Sequence, residues 1–165
     1  MPQLTDQLHE EHAKLMPLLD ALRVLADDAP RLDPADVRAR MLREHAFLVR
    51  DFVPHMDAEQ ETLYPAMEQV LRASRSNARM SHAHGEIRGL IDAVGALGDA
   101  AGASGVAWLL EVRRALYELF ALLKVHLAEE ELLTPILEGQ LTEAQEVELA
   151  AHLEFGVPPA PPRKG

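Results

Sequence analysis

Residues 55–65 read "HMDAEQETLYP", and residues 126–135 read "HLAEEELLTP". Each stretch sets a glutamate four residues after a histidine: His55 with Glu59, and His126 with Glu130. Four residues is the same-face step of an α-helix. Apolar residues continue both faces at steps of three and four. Met41, Leu48 and Phe52 lead to the first pair and Leu63 follows it; Val112, Leu116, Leu119 and Leu123 lead to the second and Leu133 follows it. Two ionisable pairs therefore lie on stripes that must face a core.

Two further stripes complete a set. Leu4, Leu8, Leu15, Leu19 and Leu22 carry His12 among them, and Met80, Ile87, Ile91 and Val94 carry His84. The boundaries of the four helices follow from their punctuation. Thr5 or Asp6 can cap a first helix running to about Asp27, which "DDAPRLDP" ends. Asp33 followed by Pro34 is an N-cap with proline at the first helical position, opening a segment that reaches about Ala73. Pro54 and Pro65 inside it predict kinks or interruptions, the first just before His55. A third helix spans about Asn77 to Leu97, and the loop "GDAAGASG" separates it from a fourth, about Val106 to Glu138, disturbed near Pro135. Thr142 with Gln145 is a capping box for a short fifth helix, roughly Glu143 to Leu153. The expected architecture is all-α: an up-down-up-down four-helix bundle over residues 1–140, with 141–165 forming a short extra helix and the proline-rich tail "VPPAPPRKG". No segment alternates with period two over a length that would predict a strand.

Composition agrees and removes several function classes. The chain has 165 residues, enough for one domain, and 48% of them are hydrophobic, enough to fill a core. A formal charge of −11 offers no basic stripe to nucleic acid or to an anionic membrane surface. There is no cysteine, which excludes thiolate metal sites and disulfides. The start "MPQLTDQLHEEH" has neither the basic nor the apolar region of a signal peptide, and no apolar run approaches the ~18 residues of a membrane span. The expected location is cytoplasmic.

The topology brings the polar residues to one level. In an up-down bundle, positions early in the first and third helices lie level with positions late in the second and fourth. His12 and His84 are early; His55, Glu59, His126 and Glu130 are late. Six uncompensated polar groups in a core would cost about 1–3 kcal/mol each even when neutral, and no Lys or Arg shares these stripes. Bound cations would satisfy all six. Four imidazoles and two carboxylates exceed a tetrahedral zinc site and suit two ions bridged by the carboxylates. Two irons bridged by Glu59 and Glu130 is the preferred assignment, with manganese, zinc or mixed occupancy open.

At this point the chain resembles the hemerythrin-like (HHE cation-binding) family, in its stand-alone bacterial form. The resemblance rests on "LHEEHAKLMPLLDAL", "FVPHMDAEQETLYPAM", "MSHAHGEIRGLI" and "LYELFALLKVHLAEEELLTPIL", in that order, over roughly Leu4 to Leu137. It implies a non-haem di-iron centre with His12, His55, Glu59, His84, His126 and Glu130 as ligands. Oxygen-carrying members have a fifth histidine in an HxxxH on the third helix, but Arg88 stands four residues after His84 and Met80 four before. That departure counts against a simple oxygen carrier. It leaves a coordination position for peroxide, nitric oxide or oxygen, as in members linked to iron handling and stress response. The implied functions are a peroxide- or nitric-oxide-processing oxidoreductase or, alternatively, a non-enzymatic iron- or oxygen-binding protein for storage, delivery or sensing. Its redox partner is not identified by the sequence.

The prolines follow the two glutamates at different spacings, so aligning them would select Glu129; the same-face step selects Glu130. His82 lies about 200° from His84 and is expected in solvent. His9 is expected at the rim, His45 in a structural role and His152 exposed. Glu10, Glu11, Asp57, Glu61 and Glu131 are expected on solvated faces, where any of them can hold a ligand imidazole by its free N–H.

Overall fold

The computed structural model describes residues 4–72 and 74–153. The tail "VPPAPPRKG" lies outside them. Among the described residues the chain is helical with no strand. The elements are α1 (Leu4–Asp28), a 3-10 turn (Ala29–Arg31), α2 (Pro34–Phe47), α3 (Val53–Ala58), α4 (Tyr64–Leu71), α5 (Ser74–Asp99), α6 (Val106–Glu138) and α7 (Glu143–Leu153). Two π-helical turns, Leu48–Phe52 and Glu59–Leu63, join α2 to α3 and α3 to α4, so residues 34–71 form one continuous rod. α1 packs on α6 and α2, while α5 packs on α2 and α6, which gives the four-helix bundle.

The prolines explain the second rod. Pro54 and Pro65 have no N–H and would collide with the carbonyl four residues earlier in an ideal α-helix. Each is absorbed by a wider turn just before it, not by a break. The Val53 amide donates to the Leu48 carbonyl and the Tyr64 amide to the Glu59 carbonyl, five residues back in each case. Pro135 is carried inside α6 without such a turn. The rod ends at Leu71, two residues before the expected Ala73, with Arg72 in the left-handed region at φ 51°.

Several helix ends differ from expectation. Thr5 does not cap α1: it lies within the helix, and its amide and hydroxyl both donate to the Glu138 carboxylate, tying α1 to the end of α6. Asp33 caps α2 through its backbone carbonyl, which accepts from Val37, and its side chain makes no cap bond. α5 begins at Ser74 and ends at Asp99, longer at both ends than expected. The capping box of α7 forms as expected: the Thr142 amide donates to Gln145 Oε1 at 3.0 Å, and the Gln145 amide to Thr142 Oγ1 at 3.4 Å.

Two apolar clusters bracket the polar residues. The larger contains Leu15, Leu19, Met41, Phe52, Met56, Ile87, Leu119 and Leu123; the smaller contains Leu4, Leu63, Met67, Met80, Leu137 and Leu153. Along every rod the histidines and glutamates fall between members of these clusters. α7 completes the smaller cluster through Leu149 and Leu153, covering the bundle end that holds the polar residues. Gly95 lets α5 approach α2 at His45; a Cβ there would come within 2.6 Å of the His45 ring. No helix among the described residues is long and apolar enough to cross a membrane.

Candidate metal centre

Four helical rods each deliver one imidazole to one buried point. His12, His55, His84 and His126 are all 3% exposed or less, and Glu59 and Glu130 are fully buried. Their donor atoms form two overlapping groups, His12–His55–Glu59–Glu130 and Glu59–His84–His126–Glu130, each within 4.8 Å. The carboxylates divide between the groups. Glu59 Oε1 lies 2.9 Å from His55 Nε2, and its Oε2 lies 3.6 Å from His84 Nε2. Glu130 Oε2 lies 3.5 Å from His12 Nε2, and its Oε1 lies 3.2 Å from His126 Nε2. Each glutamate thus presents one oxygen to each pair of imidazoles. On the second side, His84 Nε2 and His126 Nε2 converge to 2.9 Å.

A cation fits this arrangement. Glu59 Oε1 and Oε2, Glu130 Oε2 and His12 Nε2 are buried with no partner beyond the imidazoles and carboxylates of the cluster itself. Leaving such atoms unsatisfied costs about 1–3 kcal/mol apiece. Imidazole nitrogen and carboxylate oxygen are donors that suit iron, manganese or zinc.

Without a cation, protons take over part of the neutralisation. Burial alone would lower the His55 pKa, but the Glu59 carboxylate, with help from Glu130 and Glu11, overrides it and pushes it up to about 9. His126 moves up as well: burial opposes the shift and Glu130 wins. Burial would raise the Glu130 pKa, but the imidazoles of His12 and His126 hold it well below the ordinary carboxylate range.

Tyr64 is a seventh member that the sequence reading missed. Its hydroxyl donates to Glu130 Oε1 at 2.7 Å and lies 2.8 Å from His84 Nε2. Burial, reinforced by the charges of Glu130 and Glu59, raises its pKa, so it remains a neutral donor. On an ideal helix Tyr64 would point about 140° away from Glu59. The Glu59–Leu63 π turn brings it back to the same face. The signal was a tyrosine immediately before Pro65, where a widened turn relieves the proline. Asn77 supports it, donating to the Tyr64 carbonyl.

The neighbouring glutamates separate clearly. Glu130 points into the cluster; Glu129 points outward and pairs with Arg79. Arg88, four residues after His84, pairs with Asp57 at the surface. His82 is exposed beside Glu86, and His152 is exposed with its Nδ1 on the Glu148 carbonyl. His9 is at the rim, 3.4 Å from Glu131. Glu11 departs from expectation: it is buried, with Lys14 on Oε1 at 2.6 Å, and it is near enough to His55 to raise its pKa. Glu131 sits behind His12, with Oε1 3.3 Å from His12 Nδ1.

Comparison with known proteins agrees with this geometry. Residues 3–137 match the family described as the hemerythrin HHE cation binding domain. No curated protein and no solved structure gives a match.

Proposed function

This chain belongs to the hemerythrin HHE cation-binding family, and we propose that it is a non-haem di-iron protein that binds or reduces a small oxidant in stress response. Peroxide, nitric oxide and oxygen are the ligand class, and the cytoplasm is the proposed location. The observation that supports this reading is the division of Glu59 and Glu130, each offering one oxygen to each histidine pair. His12 and His55 would hold one ion, and His84 and His126 the other, with both carboxylates spanning the two.

Bound iron would supply the redox change and an open coordination position; manganese or zinc would fit the same donors. The chain supplies the rest. Four rods hold the imidazoles, so the donor set is largely formed before metal arrives. Tyr64 keeps a proton on its oxygen beside His84 Nε2 and donates it to Glu130. Leu15, Met56, Leu63, Met80 and Leu127 line the apolar layers on either side and keep bulk water and large polar molecules out. A buried apolar approach selects small, weakly polar ligands.

Metal counting on protein loaded with iron tests this reading. About two irons per chain, with bridged di-iron absorption after oxidation, support it. Fewer than about one iron per chain, without that absorption, overturns it. A catalase assay and nitric oxide titration on the same sample then separate an enzyme from a non-enzymatic iron- or oxygen-binding protein, since the latter binds without turnover.

A further inference from the structure

A ligand of the buried centre must cross a layer of apolar side chains. An ion would need donors along the way, but an uncharged diatomic needs only apolar space and a side chain that moves aside. Between α5 and α6 a surface cavity of about 210 Å³ is lined by Arg79, Met80, Glu129, Leu132 and Leu133. Its inner wall reaches toward the centre. Met80 is 1% exposed and stands four residues before His84, and Leu133 stands three residues after Glu130. Both steps keep to one helix face, so the wall lies one turn from two of the proposed ligands. Met80 and Leu133 also belong to the apolar cluster that contains Tyr64, whose hydroxyl lies 2.8 Å from His84 Nε2.

Two other cavities do not approach the centre in this way. One, of about 700 Å³, runs along Leu90, Leu122 and Val125; the other, of about 310 Å³, runs along Ala66, Val70 and Leu149 between α4 and α7. Neither has a fully buried side chain in its wall. At the mouth of the first cavity Leu132 is exposed, and Arg79 pairs with Glu129, which leaves no net charge there to attract an ion. Methionine suits the inner wall of such a cavity, because its unbranched side chain has three rotatable bonds and can swing while the backbone stays in place.

We propose that this cavity is the entry port for an uncharged diatomic ligand, nitric oxide or oxygen, and that Met80 is its gate, admitting the ligand to the His84–His126 side of the centre. The inference rests on the small-oxidant reading above and adds the route and the ligand class. Met80 is not among the six proposed ligands.

The test follows binding rates, not turnover. Nitric oxide is mixed anaerobically with reduced, iron-loaded full-length protein, and association and release are timed by the iron-nitrosyl absorption. A gate changes both rates by the same factor and leaves Kd unchanged. Met80→Ile, stiff at its branched Cβ, should slow both rates about tenfold, with iron per chain as in wild type. Leu132→Trp, at the exposed mouth and so independent of core packing, should slow both about threefold. Val125→Trp, in the 700 Å³ groove, should leave both as in wild type. Wild-type rates in Met80→Ile and Leu132→Trp overturn the port, as does equal slowing in Val125→Trp. A changed Kd at an unchanged association rate in Met80→Ile also overturns the gate, since Met80 would then act on the bound ligand and not on its entry. If iron-loaded wild-type protein binds no nitric oxide, the small-oxidant reading falls and the port with it; the wild-type measurement alone tells that failure from the others.

Discussion

Adjacent glutamates on α6 show how one residue step changes a role. Glu129 reaches Arg79 at the surface, while Glu130 is fully buried against His12, His126 and Tyr64. Glu130→Gln is expected to lose at least half of the bound metal, and Glu129→Gln to lose none; metal analysis of the two purified variants checks both. The same-face step from His126 already distinguished them, because α6 runs through this region without a π turn. Tyr64 was not legible in that way, since its inward direction depends on the turn before it. Tyr64→Phe removes a hydrogen bond to a buried charged group, and loss of about 1.5–3 kcal/mol is expected for metal-free protein. Urea unfolding measures that loss, while the iron count should stay at the wild-type level. Glu11 was misplaced on a solvated face because its sequence neighbours, Glu10 and His12, leave its own direction open; the packing beside His55 decides it.

At the scale of elements, the rod of residues 34–71 carries the most information. Its apolar stripe and its two prolines were visible in the sequence, and they predicted kinks. The chain instead inserts a π turn ahead of each proline, which keeps the rod continuous. The choice between a break and a widened turn depends on whether neighbouring rods reward continued packing, and α5 and α7 both do so here. Deleting the exposed residue Gln60 should convert the Glu59–Leu63 turn to ordinary α-helix. Tyr64 would then stand four residues after Glu59, the same-face step, so metal per chain should stay at the wild-type level, while the thermal midpoint should fall by several degrees as Pro65 meets the carbonyl four residues before it. Circular dichroism melting with metal analysis checks this; a wild-type midpoint or a loss of metal would contradict the role given to the turn. The α7 capping box was legible because it is local, whereas the bond from Thr5 to Glu138 joins residues far apart in sequence and was not.

For the whole molecule, the centre couples charge to stability. The His55 pKa rises from its ordinary 6.5 to about 9 in the folded metal-free chain. A raised pKa means the stabilisation is fully present below about pH 6.5 and is lost as pH rises through about 9. Glu130 acts oppositely: its lowered pKa stabilises the fold above the ordinary carboxylate range and loses that effect as acid protonates it. The thermal midpoint of metal-free protein should therefore fall between about pH 6.5 and 9.5. Metal binding displaces the imidazole protons, so iron affinity should rise over the same interval. Melting curves with and without iron at both ends of the interval check the two signs, and a metal-free midpoint that rises with pH would contradict the charge assignment.

The sequence alone determined the four apolar stripes, the single histidine on each and the two same-face glutamates, because helical periodicity is a local property of residue spacing. Loop lengths then implied that these six residues share one level of a bundle. Only the tertiary structure decided how the carboxylate oxygens divide between the histidine pairs, that Tyr64 joins them, and that Glu131 links His12 to exposed His9. Those facts depend on side-chain directions set by a π turn and by contacts between rods. Spacing along one helix carries no record of what stands opposite it.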